Sequence, residues 1–252
     1  MLLGVVGCCG AWGQKVDSLE PIRRMERRYR AAKTLQATFL ERYTENGRTA
    51  RVESGVAYFR RPGKMRWEYA APENNLFLID GKNAWFYVPA DHTVTRVPAK
   101  QSTDWRTPLA LLAGETKVSK VCAKIELAAD EKAESAQNAV FRCRLRGEIS
   151  QAGAKAPGGA PAAAGRPADA SGPAEEDKRE AAQDTVLLEV SRDTGELARI
   201  VIRDKGGVGI EFRFEQWRDD PVVAEALFHF EAPRGVAIVN GEFPAERRTG
   251  KE

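Results

Sequence analysis

Arg60 to Pro89 reads R-R-P-G-K-M-R-W-E-Y-A-A-P-E-N-N-L-F-L-I-D-G-K-N-A-W-F-Y-V-P. Short runs of aromatic and branched residues are cut apart by Pro-Gly, Asn-Asn and Asp-Gly. That pattern predicts consecutive antiparallel strands joined by tight turns. Two tryptophans, two tyrosines and two phenylalanines fall in this one meander, with a basic pair at its entrance. A sheet so rich in aromatic residues either packs a core or lines an apolar cavity.

Strands extend outward from this stretch in both directions. Leu35, Ala37, Phe39, Glu41 and Tyr43 alternate with polar neighbours, and Asn46-Gly47 marks a hairpin into a strand from about Val52 to Arg60. Upstream, Asp17 to Lys33 reads as an amphipathic helix capped by Asp17 or Ser18. Leu19, Ile22, Met25, Tyr29 and Ala32 form its apolar stripe, and five arginines lie largely off it. Those arginines are either a solvated face or a docking surface for an acidic partner or anionic membrane. Downstream, Thr107-Pro108 to Gly114 carries both the start and the stop signal of a short apolar helix, which must be covered or face a cavity. Further strands are predicted at Lys117–Leu127, Ala139–Glu148, Thr185–Ser191, Leu197–Arg203 and Val208–Trp217. Between them, residues 150–184 are Ala/Gly/Pro-rich with almost no large apolar side chain. They are expected to be disordered and to interrupt one sheet as a long loop.

The 252 residues suit one domain, and 42% hydrophobic residues supply an ordinary core. Lys+Arg 39 against Asp+Glu 36 gives a net charge of only +3, so nucleic acid is not an expected partner. No apolar run reaches the roughly 18 residues that span a bilayer. Leu2 to Trp12 carry no charge, and Ala11-Trp12-Gly13 offers a peptidase site. Residues 1–13 are therefore expected to be a signal peptide and 14–252 one exported domain. Val5-Val6-Gly7-Cys8 also resembles a lipobox, which would lipidate Cys8.

Cleavage would remove Cys8 and Cys9 and leave Cys122 and Cys143 in an oxidising compartment, where pairing is the default. Strand alternation argues the other way. Cys143 shares a face with Phe141 and Leu145, whereas Cys122 alternates with Lys124 and Glu126 on a polar face. A bulge would repair the parity, so the disulfide stays an open expectation.

Nothing in the sequence suggests catalysis. His92 and His229 have no neighbours at metal-ligand spacing, so no metal is expected. No G-x-S-x-G elbow exists, and Lys205-Gly-Gly-Val-Gly209 lies between strands, whereas a phosphate loop opens a helix.

Leu35-Gln-Ala-Thr-Phe39, Arg61-Pro62-Gly63-Lys64-Met65-Arg66-Trp67-Glu68-Tyr69, Leu78-Ile79-Asp80-Gly81-Lys82 and Trp85-Phe86-Tyr87 resemble the outer-membrane lipoprotein carrier protein family (LolA). Thr107 to Leu112 resembles its lid helix, and Phe214-Glu215-Gln216-Trp217 with Leu227 to Val236 resembles its C-terminal signature. The resemblance implies a mainly β fold with a helical lid: an incomplete, strongly curved antiparallel barrel of about eleven strands around an apolar cavity. It implies a periplasmic, monomeric carrier without cofactor or enzymatic activity. Such a carrier takes acylated lipoproteins from an inner-membrane ABC release complex to an outer-membrane acceptor. Cavity positions would be Leu35, Ala37, Phe39, Met65, Trp67, Leu76, Leu78, Leu109 and Leu112, with Arg61 latching the lid through the backbone of Leu112 and Ala113. Met65 stands where well-known members carry an aromatic residue. Relatives of this fold bind other lipids or act as envelope sensors, so a lipid-anchored or soluble sensor of the same fold is the alternative.

Overall fold

Residues 18–101, 117–145, 185–203 and 207–241 are described by the computed structural model. The expected leader with Cys8 and Cys9, the helix at 107–114 with Leu109, Leu112 and Ala113, and the 150–184 segment lie outside the described residues.

Among the described residues, twelve strands form one sheet. They are β1 (Thr34–Glu45), β2 (Arg48–Arg60), β3 (Lys64–Ala71), β4 (Leu76–Ile79), β5 (Asn83–Val88), β6 (Thr93–Pro98), β7 (Cys122–Leu127), β8 (Asn138–Leu145), β9 (Thr185–Ser191), β10 (Leu197–Arg203), β11 (Val208–Asp219) and β12 (Ala237–Asn240). Their order is β12-β6-β5-β4-β3-β2-β1-β11-β10-β9-β8-β7, so among the described residues β12 and β7 are the edges and the sheet does not close. Side chains from one face of β1 to β5 and β8 to β11 meet in a single buried cluster, which requires the sheet to curve around them.

Turn chemistry fixes the local register. Asn46 and Gly47 have φ of 49° and 75°, the left-handed pair of a two-residue type I′ hairpin, with Glu45 opposite Arg48. One pairing departs from the antiparallel expectation: β12 runs parallel to β6, with Ala237 opposite Thr93 and Asn240 opposite Arg96. A parallel neighbour needs a long crossover. The chain reaches that edge from β11 through residues 220–236, which cross the outer face of the sheet, where Arg66 Nη1 donates to the carbonyl of Leu227 at 3.0 Å and Phe230 meets Trp85 and Tyr87.

The helix α1 (Glu20–Ala31) begins later than its sequence suggests. Leu19 occupies the N-cap without a side-chain cap, Pro21 fits the first turn, and Glu20 places a carboxylate at the positive end of the helix dipole. Its expected stripe is real: Ile22, Met25, Tyr29 and Ala32 are buried in the cluster and Leu19 packs against it. Lys117–Leu127 is not strand throughout. Val118–Val121 form one helical turn, α2, because Glu26 Oε1 of α1 accepts the backbone N–H of Val118 at 2.8 Å. Val118 and Val121, three apart, then both face the core.

Several contacts pin α1 to the β9–β10 turn. Gly195, at φ +70°, sits so close that a Cβ there would lie 2.6 Å from Arg24 C and Met25 N. The Tyr29 hydroxyl accepts the backbone N–H of Leu197 at 2.8 Å, and Arg28 holds both Glu196 and Asp219. Burial of Tyr29 pushes its phenol well above the usual range, so it stays protonated.

Candidate functional site

The concave face is the candidate site, and cross-strand pairing defines it. Phe39 on β1 lies opposite Gly55 on β2 and Phe214 on β11. Trp67 on β3 lies opposite Ala57 on β2 and Phe77 on β4. Small residues thus face large ones, so the rings of neighbouring strands lean into the space above Ala37, Gly55 and Ala57. A Cβ on Gly55 would lie 1.9 Å from the carbonyl oxygen of Glu68, which excludes every other residue at this bulge.

Trp67 is the hub. Its ring centroid is 4.8 Å from Phe39, 5.3 Å from Phe212, 5.8 Å from Phe59 and 6.0 Å from Phe214, all edge-on. It is 0% exposed. Among the described residues its indole Nε1–H has no hydrogen-bond acceptor. A buried donor left unmade costs about 1–3 kcal/mol, and Phe would fill most of the same space without that cost.

The same face turns polar one step further along the strands. Glu41 lies directly opposite Glu53, and both are nearly fully buried. Two carboxylates in register disfavour each other. The Tyr69 hydroxyl donates to Glu41 Oε2 at 2.8 Å, and Arg51 Nε lies 2.9 Å from Glu53 Oε2, which offsets the repulsion. The wall is therefore graded, with an apolar aromatic floor and a polar, carboxyl-bearing end separated by one residue pair.

Of the cavity positions implied by the resemblance, Leu35, Ala37, Phe39, Met65 and Trp67 share this face and are buried in the cluster. Leu76 and Leu78 do not. Leu78 pairs with Arg66 and Leu76 with Glu68, so both stand on the outer face, while Phe77 and Ile79 oppose Trp67 and Met65 on the inner one. The run Leu76-Phe-Leu-Ile79 is apolar at every position, so its alternation does not reveal its faces. Leu78 is buried all the same, on the face that the 220–236 crossover spans. Leu109, Leu112 and Ala113 lie outside the described residues.

Arg61 sits in the β2–β3 turn at the open end of this wall. Its backbone N–H donates to Lys33 O at 3.0 Å, and its Nη1 donates to the carbonyl of Arg30, in the last turn of α1. A guanidinium there satisfies an orphan carbonyl and the negative end of the helix dipole. Arg61 thus ties the meander to α1.

Cys122 and Cys143 form a disulfide with Cα atoms 5.3 Å apart. The parity problem is solved by a bulge between Cys122 and Lys124, which leaves Cys122 opposite Leu145 and Ile125 opposite Cys143. Cys122 consequently joins the buried face although Lys124 points to solvent. Gln216, at φ 55° beside the β1–β11 irregularity, does the same for Trp217. That ring meets Tyr29 at 5.1 Å and Phe214 at 5.3 Å.

Sequence reasoning missed Phe59, Phe77, Phe212 and Phe214 as partners of the wall, and Glu41, Glu53 and Tyr69 as its polar end. The first group was legible as alternation but needed the strand order to place it. Among the described residues, no group of three or more His, Cys, Asp or Glu side chains could hold a metal, and no helix is long and apolar enough to cross a membrane.

Residues 30–139 match the family model described as outer membrane lipoprotein carrier protein LolA. The outer-membrane lipoprotein carrier protein of Methylococcus capsulatus is 37% identical over 98 residues, which are 38% of this chain and 46% of that protein. The protein of the same name from Nitrosomonas europaea is 42% identical over 86 residues, covering 33% and 40%. The chain spans less than half the length of these curated relatives. A crystal structure of an uncharacterized conserved protein from Thermus thermophilus superposes with a TM-score of 0.50 at 14% identity, covering 88% of this chain and 98% of that one. That likeness concerns the fold alone.

Proposed function

We propose, from the match of residues 30–139 to the outer membrane lipoprotein carrier protein LolA family model, that this chain is a periplasmic carrier. It shelters the acyl chains of lipoproteins against its concave wall while they pass from the inner to the outer membrane. An inner-membrane ABC release complex supplies the cargo and an outer-membrane acceptor takes it. The protein binds and transports and performs no chemistry.

The observation that carries this reading is the aromatic wall around Trp67, backed by α1 and continuous across the sheet. Each acyl CH₂ withdrawn from a membrane is worth about 0.8 kcal/mol, so one long chain is worth on the order of 10 kcal/mol. A carrier has to offer comparable apolar surface and later give it back. An open sheet meets both needs: its rings can turn towards each other or towards a ligand, and its free edges allow the curvature to relax. The contact of Arg61 with the end of α1 supports a role for this residue in holding the site shut.

The test is release of an epitope-tagged lipoprotein from spheroplast membranes by the purified protein. A soluble one-to-one complex that then delivers the lipoprotein to outer-membrane vesicles is expected. Lipoprotein that stays with the spheroplasts, when the inner-membrane release complex is present and energised, would overturn the reading.

A further inference from the structure

We infer that the indole N–H of Trp67 is the hydrogen-bond donor that seats the ester carbonyl of a bound acyl lipid. The inference rests on the carrier reading above and adds the group by which the wall tells an ester from a plain alkyl chain.

Three observations converge on this atom. Trp67 is fully buried and its Nε1–H has no acceptor among the described residues, although four phenylalanine rings surround it within 6.0 Å. Ring faces are weak acceptors that a carbonyl outcompetes. The position is also special along the wall. On one side of Trp67 lie Met65 and Ile79; on the other, Tyr69 follows on the same face and binds the buried Glu41. Same-face residues on a strand are about 7 Å apart. Trp67 therefore marks the boundary between apolar floor and polar end. An acyl lipid has one boundary of the same kind, its ester, where a hydrogen-bond acceptor joins the alkyl tail to the polar head. A tail laid on the Met65 side with its head towards Tyr69 brings the carbonyl to the indole.

The experiment compares two probes with matched sixteen-carbon chains, 1-monopalmitoylglycerol (ester) and 1-O-hexadecylglycerol (ether), on the wild type and on Trp67→Phe. Affinities are read by displacement of a fluorescent fatty acid. The ester-to-ether affinity ratio is expected to be roughly fivefold higher in the wild type than in the variant, the span of one neutral hydrogen bond. Taking the ratio within each protein cancels the different water solubilities of the probes and any general loss of packing in the variant. An equal ratio in both proteins overturns the inference and leaves the carrier reading standing. Failure of the wild type to bind either probe overturns both. A measurement on the wild type alone guards against a variant that does not fold: the Trp67 Nε1–H proton resonance, assigned through its contacts to the phenylalanine rings, is expected to move downfield with the ester probe only. The same shift with both probes, or with neither, refutes the assignment.

Discussion

Replacing Cys122 and Cys143 together by alanine is expected to cost the protein about 3 kcal/mol of stability, mostly through the unfolded state. The two residues are 21 positions apart. Opening a loop of about 22 residues returns roughly 11 cal/mol/K of chain entropy to the unfolded ensemble, or about 3 kcal/mol at 25 °C. Both sulfurs are buried among Ile125, Leu145 and Val186, so their loss adds a packing penalty to the entropic one. For a chain of this size the total corresponds to a fall in Tm of roughly 10 °C. The damage begins locally, because among the described residues β7 is an edge strand paired only with β8, and the bridge is its covalent tie. Urea unfolding followed by tryptophan fluorescence, with and without reductant, measures the effect. Oxidised wild type stands highest, reduced wild type lies about 3 kcal/mol below it, and the double variant lies lower still by the packing penalty. The slope m rises as well, since an unbridged unfolded chain exposes more surface. Hydrogen exchange quickens first in β7. A double variant within about 1 kcal/mol of the oxidised wild type, with unchanged m, would refute this reasoning.

Two further outcomes are expected. Gly195→Ala places a Cβ 2.6 Å from backbone atoms of Arg24 and Met25 at a φ of +70°; it should destabilise by about 2 kcal/mol or more and loosen α1, and protease accessibility at the arginines of α1 indistinguishable from wild type would count against it. Asp80 would be raised by its burial, but N–H bonds from Asn83, Trp85 and Lys82 prevail and hold its carboxyl below the ordinary 3.8. Its contribution is therefore present above that value and lost as the pH falls through the lower, folded one. The urea midpoint of Asp80→Asn should accordingly trail the wild type at pH 7 and converge with it near pH 2, and a gap independent of pH would show that the charge of Asp80 contributes nothing.

Much of this fold can be read from local chemistry. The Asn46-Gly47 hairpin, the Asp80-Gly81 turn and the stripe Ile22-Met25-Tyr29 each state their geometry in a few residues. The errors share one physical origin: alternation determines faces only where one face is polar and the ladder is unbroken. Leu76–Ile79 is apolar on both faces because residues 220–236 pass over the outer one, so alternation gave no check on the cavity positions that the resemblance implied for Leu76 and Leu78. Cys122 and Trp217 reach the interior through irregularities at Cys122/Lys124 and at Gln216, which residue type does not announce. The buried Glu41 and Glu53 resemble solvent-facing carboxylates in sequence, and only the ladder reveals that they oppose each other on the inner face. The helical turn at Val118–Val121 depends on Glu26, 92 positions away.

The position of β1 between β2 and β11 has a consequence for how the molecule is made. Its pairing with β2 closes over a two-residue turn, whereas its other neighbour is remote, Thr38 meeting Glu215. During folding, β1 to β6 can assemble from neighbouring hairpins, but the strand that carries Phe212 and Phe214 comes from much later in the chain. Until that strand docks, Phe39, Phe59 and Trp67 lack those covering rings. Contacts of such long sequence separation form slowly. The folding protein therefore passes through an interval in which the wall meant for acyl chains is itself the stickiest surface it presents, and it depends during that interval on the kind of shelter it is proposed to provide for others.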